Sequence, residues 1–510
     1  MSSNSRTHNS IRNVLLGSFN QAVFLSLSFA TKTVFISQLG IVYLGINGLF
    51  TNLFVLFSSI EFGIGIAMMY SLYKPLAENN KEKIGALYNF YRSIYRNTSI
   101  GIGITGMALF PFLKLLINTE VPVAHKELYY LLFLINAVVY NQFIYKSYLI
   151  IADQKKYLVS LYYMLFEGSV FILQIITLLE FQSYSIYLAL VIFKTVFYCG
   201  FLHFKIQRVY PYVIDKKGEF SKKDKITLHK SAFNMIVYKV SEMMICGTDN
   251  IIISVILGTI YVGYYSNYEF ILQGISSVVA LIFASLAASV GNLFVDNDLN
   301  KKYQIFHLVQ NLNLWVAGFM TTGIYLLSQS FITAWIGPSY LLSNQVLLII
   351  SLNFYLTVMR DANKMFRESA GLFDKMKRVI VLNAVLNILF SVLLGLKFGM
   401  VGVFSATVIS GLLTSYPFEA YLIHRDYLRK SMKTYLIMQA KGAVLVVMSV
   451  MITGFFMGLD IGTGWGSFFF KVIIFGVISN AFYFIMLKQT DGVQFLICTG
   501  KQLILNQLSK

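Results

Sequence analysis

"YQIFHLVQNLNLWVAGFMTTGIYLLSQSFITAWIGPSYLLSNQVLLIISLNFYLTVM", residues 303–359, runs for 57 residues without Lys, Arg, Asp or Glu. One helix crosses a bilayer with about 20 residues. The stretch therefore reads as two helices, and "WIGPSY" (335–340) supplies the Gly-Pro turn between them. The same length test applied along the whole chain predicts an all-α, polytopic membrane protein of about fourteen spans. They fall at roughly 13–39, 43–73, 94–117, 128–151, 157–179, 184–205, 231–257, 260–292, 304–328, 343–366, 376–395, 400–422, 434–457 and 464–486. The second and eighth are long enough to emerge from the bilayer on the inner side. Composition agrees, since only 13% of residues are charged against about a quarter in soluble chains.

The basic residues set the orientation. Alternate loops carry Lys74, Lys81, Lys83 and Arg92, then Lys155 and Lys156, then Arg208, Lys216, Lys217, Lys222, Lys223 and Lys225. Further on they carry Lys301 and Lys302, then Arg367, Lys375, Lys377 and Arg378, then Arg425, Arg429, Lys430 and Lys433. The opposite loops offer little beyond Lys126 and Lys397. Positive charge stays inside, so both termini are expected in the cytoplasm. The formal charge of +18 is spread over these short loops, which fits anchoring to an anionic leaflet and forms no nucleic-acid surface. The first apolar stretch has no cleavage pattern and reads as a retained helix.

A repeat organises the spans. "TKTVFISQLGIVYLG" (31–45) aligns with "TDNIIISVILGTIYVG" (248–263) allowing one inserted residue, with Gly40 opposite Gly258, Tyr43 opposite Tyr261 and Gly45 opposite Gly263. The first copy begins in helix 1 and the second in helix 7, so the unit is six helices. An even number keeps both units in the same orientation, related by an axis along the membrane normal, as in transporters whose bundles rock about a central site. This divides the chain into a first bundle (1–205), a basic cytoplasmic connector (206–230), a second bundle (231–425), and helices 13 and 14 with a cytoplasmic tail (426–510).

Charges within spans are costly in lipid and mark a protein interior or a watered cavity. Lys32, Glu61, Lys146, Glu167, Lys194, Lys239, Glu242, Asp249, Glu269, Arg360 and Asp361 all lie in predicted spans. Lys114, Lys441 and Lys471 are close enough to span ends to snorkel. Lys239, Glu242 and Asp249 share one face of helix 7 by spacing. Lys32 and Asp249 hold corresponding places in the two repeats, a cation and an anion suited to a gate. Arg360, Lys364 and Arg367 form a basic stripe on helix 10, a candidate diphosphate contact. Gly63 and Gly65 in "EFGIG" read as close-packing positions.

No enzyme signature is present. There is no GxxxxGK[ST] loop, the six His lack ligand spacing, and Cys199, Cys246 and Cys498 have neither pairing nor zinc spacing. No cofactor is expected.

The span layout, the two six-helix halves, the basic connector and the trailing helix pair resemble the multidrug/oligosaccharidyl-lipid/polysaccharide (MOP) flippase superfamily. Within it the chain looks like a Wzx-type bacterial polysaccharide flippase, chiefly through 31–80, with its Leu-Gly outer turn and "EFGIG". The resemblance implies movement of an undecaprenyl-diphosphate-linked oligosaccharide from inner to outer leaflet of the bacterial cytoplasmic membrane by alternating access, for capsule or exopolysaccharide. Polymerase and assembly proteins would be its partners beside membrane lipids. It also implies cationic cavity residues that meet the diphosphate, and by type and depth these are Lys32, Lys146, Lys194, Lys239 and Arg360. Glu61, Glu242, Asp249, Glu269 and Asp361 are the candidates for gating or for proton or sodium coupling. Flipping of a teichoic-acid precursor or lipid II, cation-coupled drug export, and a non-transporting scaffold for glycan assembly are the alternatives.

Overall fold

The computed structural model describes the backbone of residues 3–215, 222–293, 299–370, 372–458, 462, 464–490 and 494, and side chains over a slightly narrower set. Parts of the connector (216–221), the segment 294–298 and the tail beyond 494, with Cys498, lie outside the described residues. All regular structure in the described residues is helical, and the predicted span ranges fall largely on helical backbone, with interruptions inside 94–117, 128–151, 231–257 and 400–422. Nine runs among the described residues are long and apolar enough to cross a membrane. Two of them, Asn20–Ala77 and Lys375–Leu428, have 58 and 54 residues, too long for one crossing of about 20 residues. Helices 222–247, 299–336 and 344–369 are not among the nine. They carry the interior polar side chains, including Lys239, Glu242, Gln310, Asn313 and Arg360, which lowers their mean hydropathy.

The chain divides into two compact units, residues 1–266 and 267–510. The first contains α1 (Ser3–Ala77), α2 (Lys81–Leu109), α3 (Leu113–Leu116), α4 (Lys126–Phe143), α5 (Tyr145–Ala152), α6 (Lys156–Phe181), α7 (Tyr184–Val209), α8 (Tyr212–Asp215), α9 (Lys222–Gly247) and α10 (Asp249–Ile256). It ends within α11 (Thr259–Leu293). Here α1 packs along α6 and α9, so the seventh span joins the first six in one compact body.

The repeated turns explain themselves once their backbones are seen. α1 reverses at Gly40, with φ +81°, and α10 meets α11 at Gly258, with φ +117°. Left-handed backbone of this kind is open to glycine without a Cβ penalty, so both copies of the repeat turn on their matching glycine. The second matched pair, Gly45 and Gly263, brings the two copies together. A Cβ on Gly45 would run into the Thr259 carbonyl, and one on Gly263 would meet the Ile41 carbonyl. Backbone lies on backbone at this crossing. Gly263→Val is therefore expected to remove most folded protein from the membrane, whereas Gly101→Ala, at a position with nothing within 4 Å, leaves abundance unchanged. Membrane abundance and monodispersity in detergent check both.

Part of this unit is a tyrosine-rich core, with Tyr88, Tyr91, Tyr95, Tyr145, Tyr148 and Tyr198 buried together. Gly65 makes room for the Tyr148 ring, and Gly63 lies against the backbone of Met235 and Ile236. Below this core the Tyr210 hydroxyl donates to Asp153 Oδ2 at 2.6 Å, and Lys155 pairs with the same carboxylate at 2.6 Å. Burial, together with that carboxylate, pushes the Tyr210 phenol well above its ordinary range.

The second unit continues with α12 (Leu299–Ile336), α13 (Asn344–Ser369), α14 (Phe373–Leu413), α15 (Ser415–Leu422), α16 (Lys433–Met457) and α17 (Trp465–Leu487). The "WIGPSY" turn is where it was expected: α12 stops at Ile336, Pro338–Tyr340 forms a 3₁₀ turn, and Ser343 Oγ accepts from Val346 N to cap α13. Within α14 the chain reverses at Gly399. Hydroxyls tie α16 and α17 to α12, with Thr322 Oγ1 3.2 Å from Ser449 Oγ and Ser449 Oγ 3.3 Å from Ser479 Oγ.

Candidate functional site

In the first unit the predicted interior charges gather partners of several kinds. Lys194 on α7 and Glu167 on α6 form an ion pair at 2.6 Å, with the ammonium 5.8 Å from the Tyr163 ring centre. Lys239 and Glu242 pair at 2.6 Å along α9, the one-turn spacing read from sequence. Lys32 Nζ donates to the Ser266 carbonyl at 2.5 Å, spanning the two copies of the repeat. Lys146 is buried on α5, its ammonium 4.6 Å from the Phe143 ring centre. Lys239 and Glu242 lie on α9, and Asp249 opens α10 after a single residue, Thr248, whose backbone stays in the right-handed helical region. Asp249 is buried and Glu269 half-buried.

Glu61 differs from all of these. Its side chain is fully buried on α1, and among the described residues no lysine, arginine or histidine forms an ion pair with it. Its ionisable neighbours are phenols: Tyr148 beside the carboxyl, with Tyr140 and Tyr95 around it. The Tyr95 hydroxyl also donates to the Glu61 backbone carbonyl at 3.2 Å. An ionised carboxylate left uncompensated in such a site is strongly disfavoured. The arrangement can therefore hold a neutral, protonated acid or a carboxylate with a bound cation.

Two cavities are lined by tyrosines of this cluster. One, of about 370 Å³, is lined by Asn20, Gln21, Tyr140, Ser147, Tyr148 and Tyr163 among others. The buried Asn20 amide has no hydrogen-bond partner among the described residues. The other, of about 320 Å³, is lined by Asn47, Thr51, Ser58, Asn136, Tyr140 and Glu167. Tyr140 faces both, and the second holds the carboxylate of the Lys194 pair. Both linings are mainly apolar, and these amides, hydroxyls and the Glu167 carboxylate are the polar groups that a water could meet there.

The basic stripe of α13 belongs to the second unit, and there the structure supplies a residue that sequence reading missed. Arg360 Nε lies 2.5 Å from Glu419 Oε2, and Arg367 Nη1 lies 2.6 Å from Glu419 Oε1. Glu419, on α15, and Arg367 are both fully buried. The carboxylate is held between two guanidiniums, with Arg360 also 5.5 Å from the Tyr416 ring centre. Asp361 is half-buried beside Lys364 and Arg360. Glu419 lies in the predicted span 400–422, and a glutamate at that depth was the available signal. Around the triad, Gln310 donates to Asn363 at 2.7 Å and Asn363 to the Tyr435 hydroxyl at 2.8 Å. Among the described residues no group of three or more His, Cys, Asp or Glu is placed to hold a metal ion.

No protein-family profile matches the chain, and no curated protein matches it significantly. Solved structures do. A structure of the lipid II flippase MurJ in an inward closed conformation aligns with 93% of this chain and 98% of its own, at TM-score 0.64 and 16% identity. An inward-facing multidrug resistance MATE transporter of the MOP superfamily aligns with 80% of this chain and 95% of its own, at TM-score 0.60 and 12% identity. The Vibrio cholerae MATE transporter VcmN aligns with 83% and 99%, at TM-score 0.55 and 14% identity. At these identities the likeness is one of fold: this chain has the fold of the MurJ and MATE transporters.

Proposed function

We propose that this chain is a flippase of the MOP superfamily that moves a polyprenyl-diphosphate-linked saccharide from the inner to the outer leaflet of a bacterial cytoplasmic membrane, with both termini inside. The observation that carries the reading is the fold shared with the lipid II flippase MurJ over nearly the whole of both chains. The MATE structures cover less of this chain, between 80% and 84%, which favours a lipid-linked cargo over a drug. A cargo of the lipid II class has the support of that comparison. An oligosaccharide repeat unit, for surface polysaccharide, presents the same diphosphate and is supported by the sequence resemblance.

The physical task suits the residues present. A diphosphate with sugars cannot cross hydrocarbon, while the polyprenyl tail is at home there. The two repeat halves would rock to expose an interior site first inward and then outward, and no bond need be made or broken. Lys32, Lys146, Lys194, Lys239 and Arg360 are the cations we assign to the head-group path, each already held by an interior partner that the cargo would have to compete with or share. Glu61 is our candidate for the coupling acid, and Glu242, Asp249, Glu269 and Asp361 for gating pairs.

Depleting the chain from its own cells and weighing the lipid-linked saccharides that accumulate tests the cargo. A lipid II mass supports the first reading and a repeat-unit mass the second. No build-up of any polyprenyl-diphosphate species contradicts both.

A further inference from the structure

A cleft of about 740 Å³ lies in the second unit among α12, α16 and α17, away from the charged triad. Its size is within the range of small-molecule sites, about 300–1,000 Å³. One end is polar, with His307, Asn311 and Thr434 in the wall, and the rest is apolar, with Leu314, Val444 and Leu445. Lys441 sits between the two. It is exposed on α16 and makes no ion pair among the described residues. Seven residues separate it from Thr434, about 10 Å along the helix at 1.5 Å per residue, a distance that its flexible stem shortens by reaching back toward the polar end. Gly442, whose missing side chain lets α16 lie on Leu314 and Tyr355, sets the floor beneath it.

Among the described lining residues the formally charged side chain is Lys441. No carboxylate is among its lining residues. Nearby on the same side are Lys430, 5.6 Å from the Tyr303 ring centre, and Lys302, 5.3 Å from that of Tyr427. Lys433 begins α16. A wall that is cationic at one end and apolar along its length complements an amphiphile whose phosphate is not balanced by a cation of its own. We propose that this cleft is a binding site for an anionic phospholipid of the surrounding leaflet, with the phosphate against Lys441 and a chain running past Leu314 toward Leu445. The site is separate from the cargo path and stands or falls independently of it, because binding to the purified chain requires no transport.

Native mass spectrometry of the full chain in detergent, titrated with phosphatidylglycerol and with phosphatidylcholine, tests it. The expected result is a preference of about fivefold for phosphatidylglycerol, the factor one lysine supplies near an anionic lipid surface. Lys441→Gln should abolish that preference and Lys441→Arg retain it, with melting temperatures unchanged. Ala440→Phe, which fills the cleft beside the unaltered lysine, should lower binding of both lipids. Equal binding of the two lipids by the native chain, or a preference that survives Lys441→Gln, would overturn the proposal. So would undecaprenyl phosphate displacing phosphatidylglycerol at lower concentration, since the cleft would then serve an isoprenoid chain.

Discussion

Glu419→Ala is expected to destabilise the protein by about 3–5 kcal/mol, the cost of removing one partner from a buried ion pair. Glu419 and Arg367 have no exposed surface, so neither water nor snorkelling can compensate the charge left behind. Arg360 and Arg367 would face one another across the vacated site, where the effective dielectric is low and repulsion correspondingly strong. Glu419→Gln keeps the shape and some hydrogen bonding and should fall between. Replacing the group with apolar residues of similar volume, as Glu419→Leu with Arg360→Leu and Arg367→Met, should recover much of the loss, because no unpaired charge is then buried. Thermal unfolding in detergent and membrane abundance measure all three. An alanine variant as stable as the native chain would show that the triad is solvated and open. The prediction also bears on Arg360, because a guanidinium already committed to Glu419 meets a diphosphate only by sharing or leaving that partner.

Glu61→Gln is expected to lower cargo movement at least about tenfold, equivalent to about 1.4 kcal/mol, while leaving abundance and melting temperature near native. Glutamine keeps the volume and a hydrogen-bonding amide among Tyr95, Tyr140 and Tyr148, so the tyrosine core has little reason to collapse. What it loses is the ability to take up and release a proton or to hold a cation. The other interior acids described with partners, Glu167, Glu242 and Glu419, each have a lysine or arginine within 2.6 Å, which makes Glu61 the better acid for a role that requires changing its ionic partner. Full transport by Glu61→Gln would assign the carboxyl to packing alone. If transport falls, imposing a pH gradient and a sodium gradient separately on native proteoliposomes identifies the ion.

Much of this architecture was legible before any coordinates. Lipid tolerates little charge, so span positions follow from uncharged runs such as 303–359, and the turns betray themselves where glycine is obligatory. Gly40 and Gly258 stood out as repeated letters because both adopt backbone that other residues avoid. Gly45 and Gly263 stood out because a side chain on either would strike the other copy of the repeat. Pairing was legible only when both partners lay on one helix, as Lys239 and Glu242 do. Glu167 with Lys194, and Glu419 with Arg360 and Arg367, are pairs between helices, which span length and charge counting do not specify. The interruption at Thr248 was hidden for a similar reason: one residue between two helices leaves the hydropathy pattern intact.

The most direct measurement uses proteoliposomes carrying a polyprenyl-diphosphate-linked saccharide in one leaflet, with an impermeant glycosidase or lectin reporting its arrival in the other. The account predicts that purified chain makes the saccharide accessible, that Lys32→Ala, Lys239→Ala and Arg360→Ala each slow this while the protein remains folded, and that empty vesicles show none. Accessibility equal in vesicles with and without the chain would contradict it.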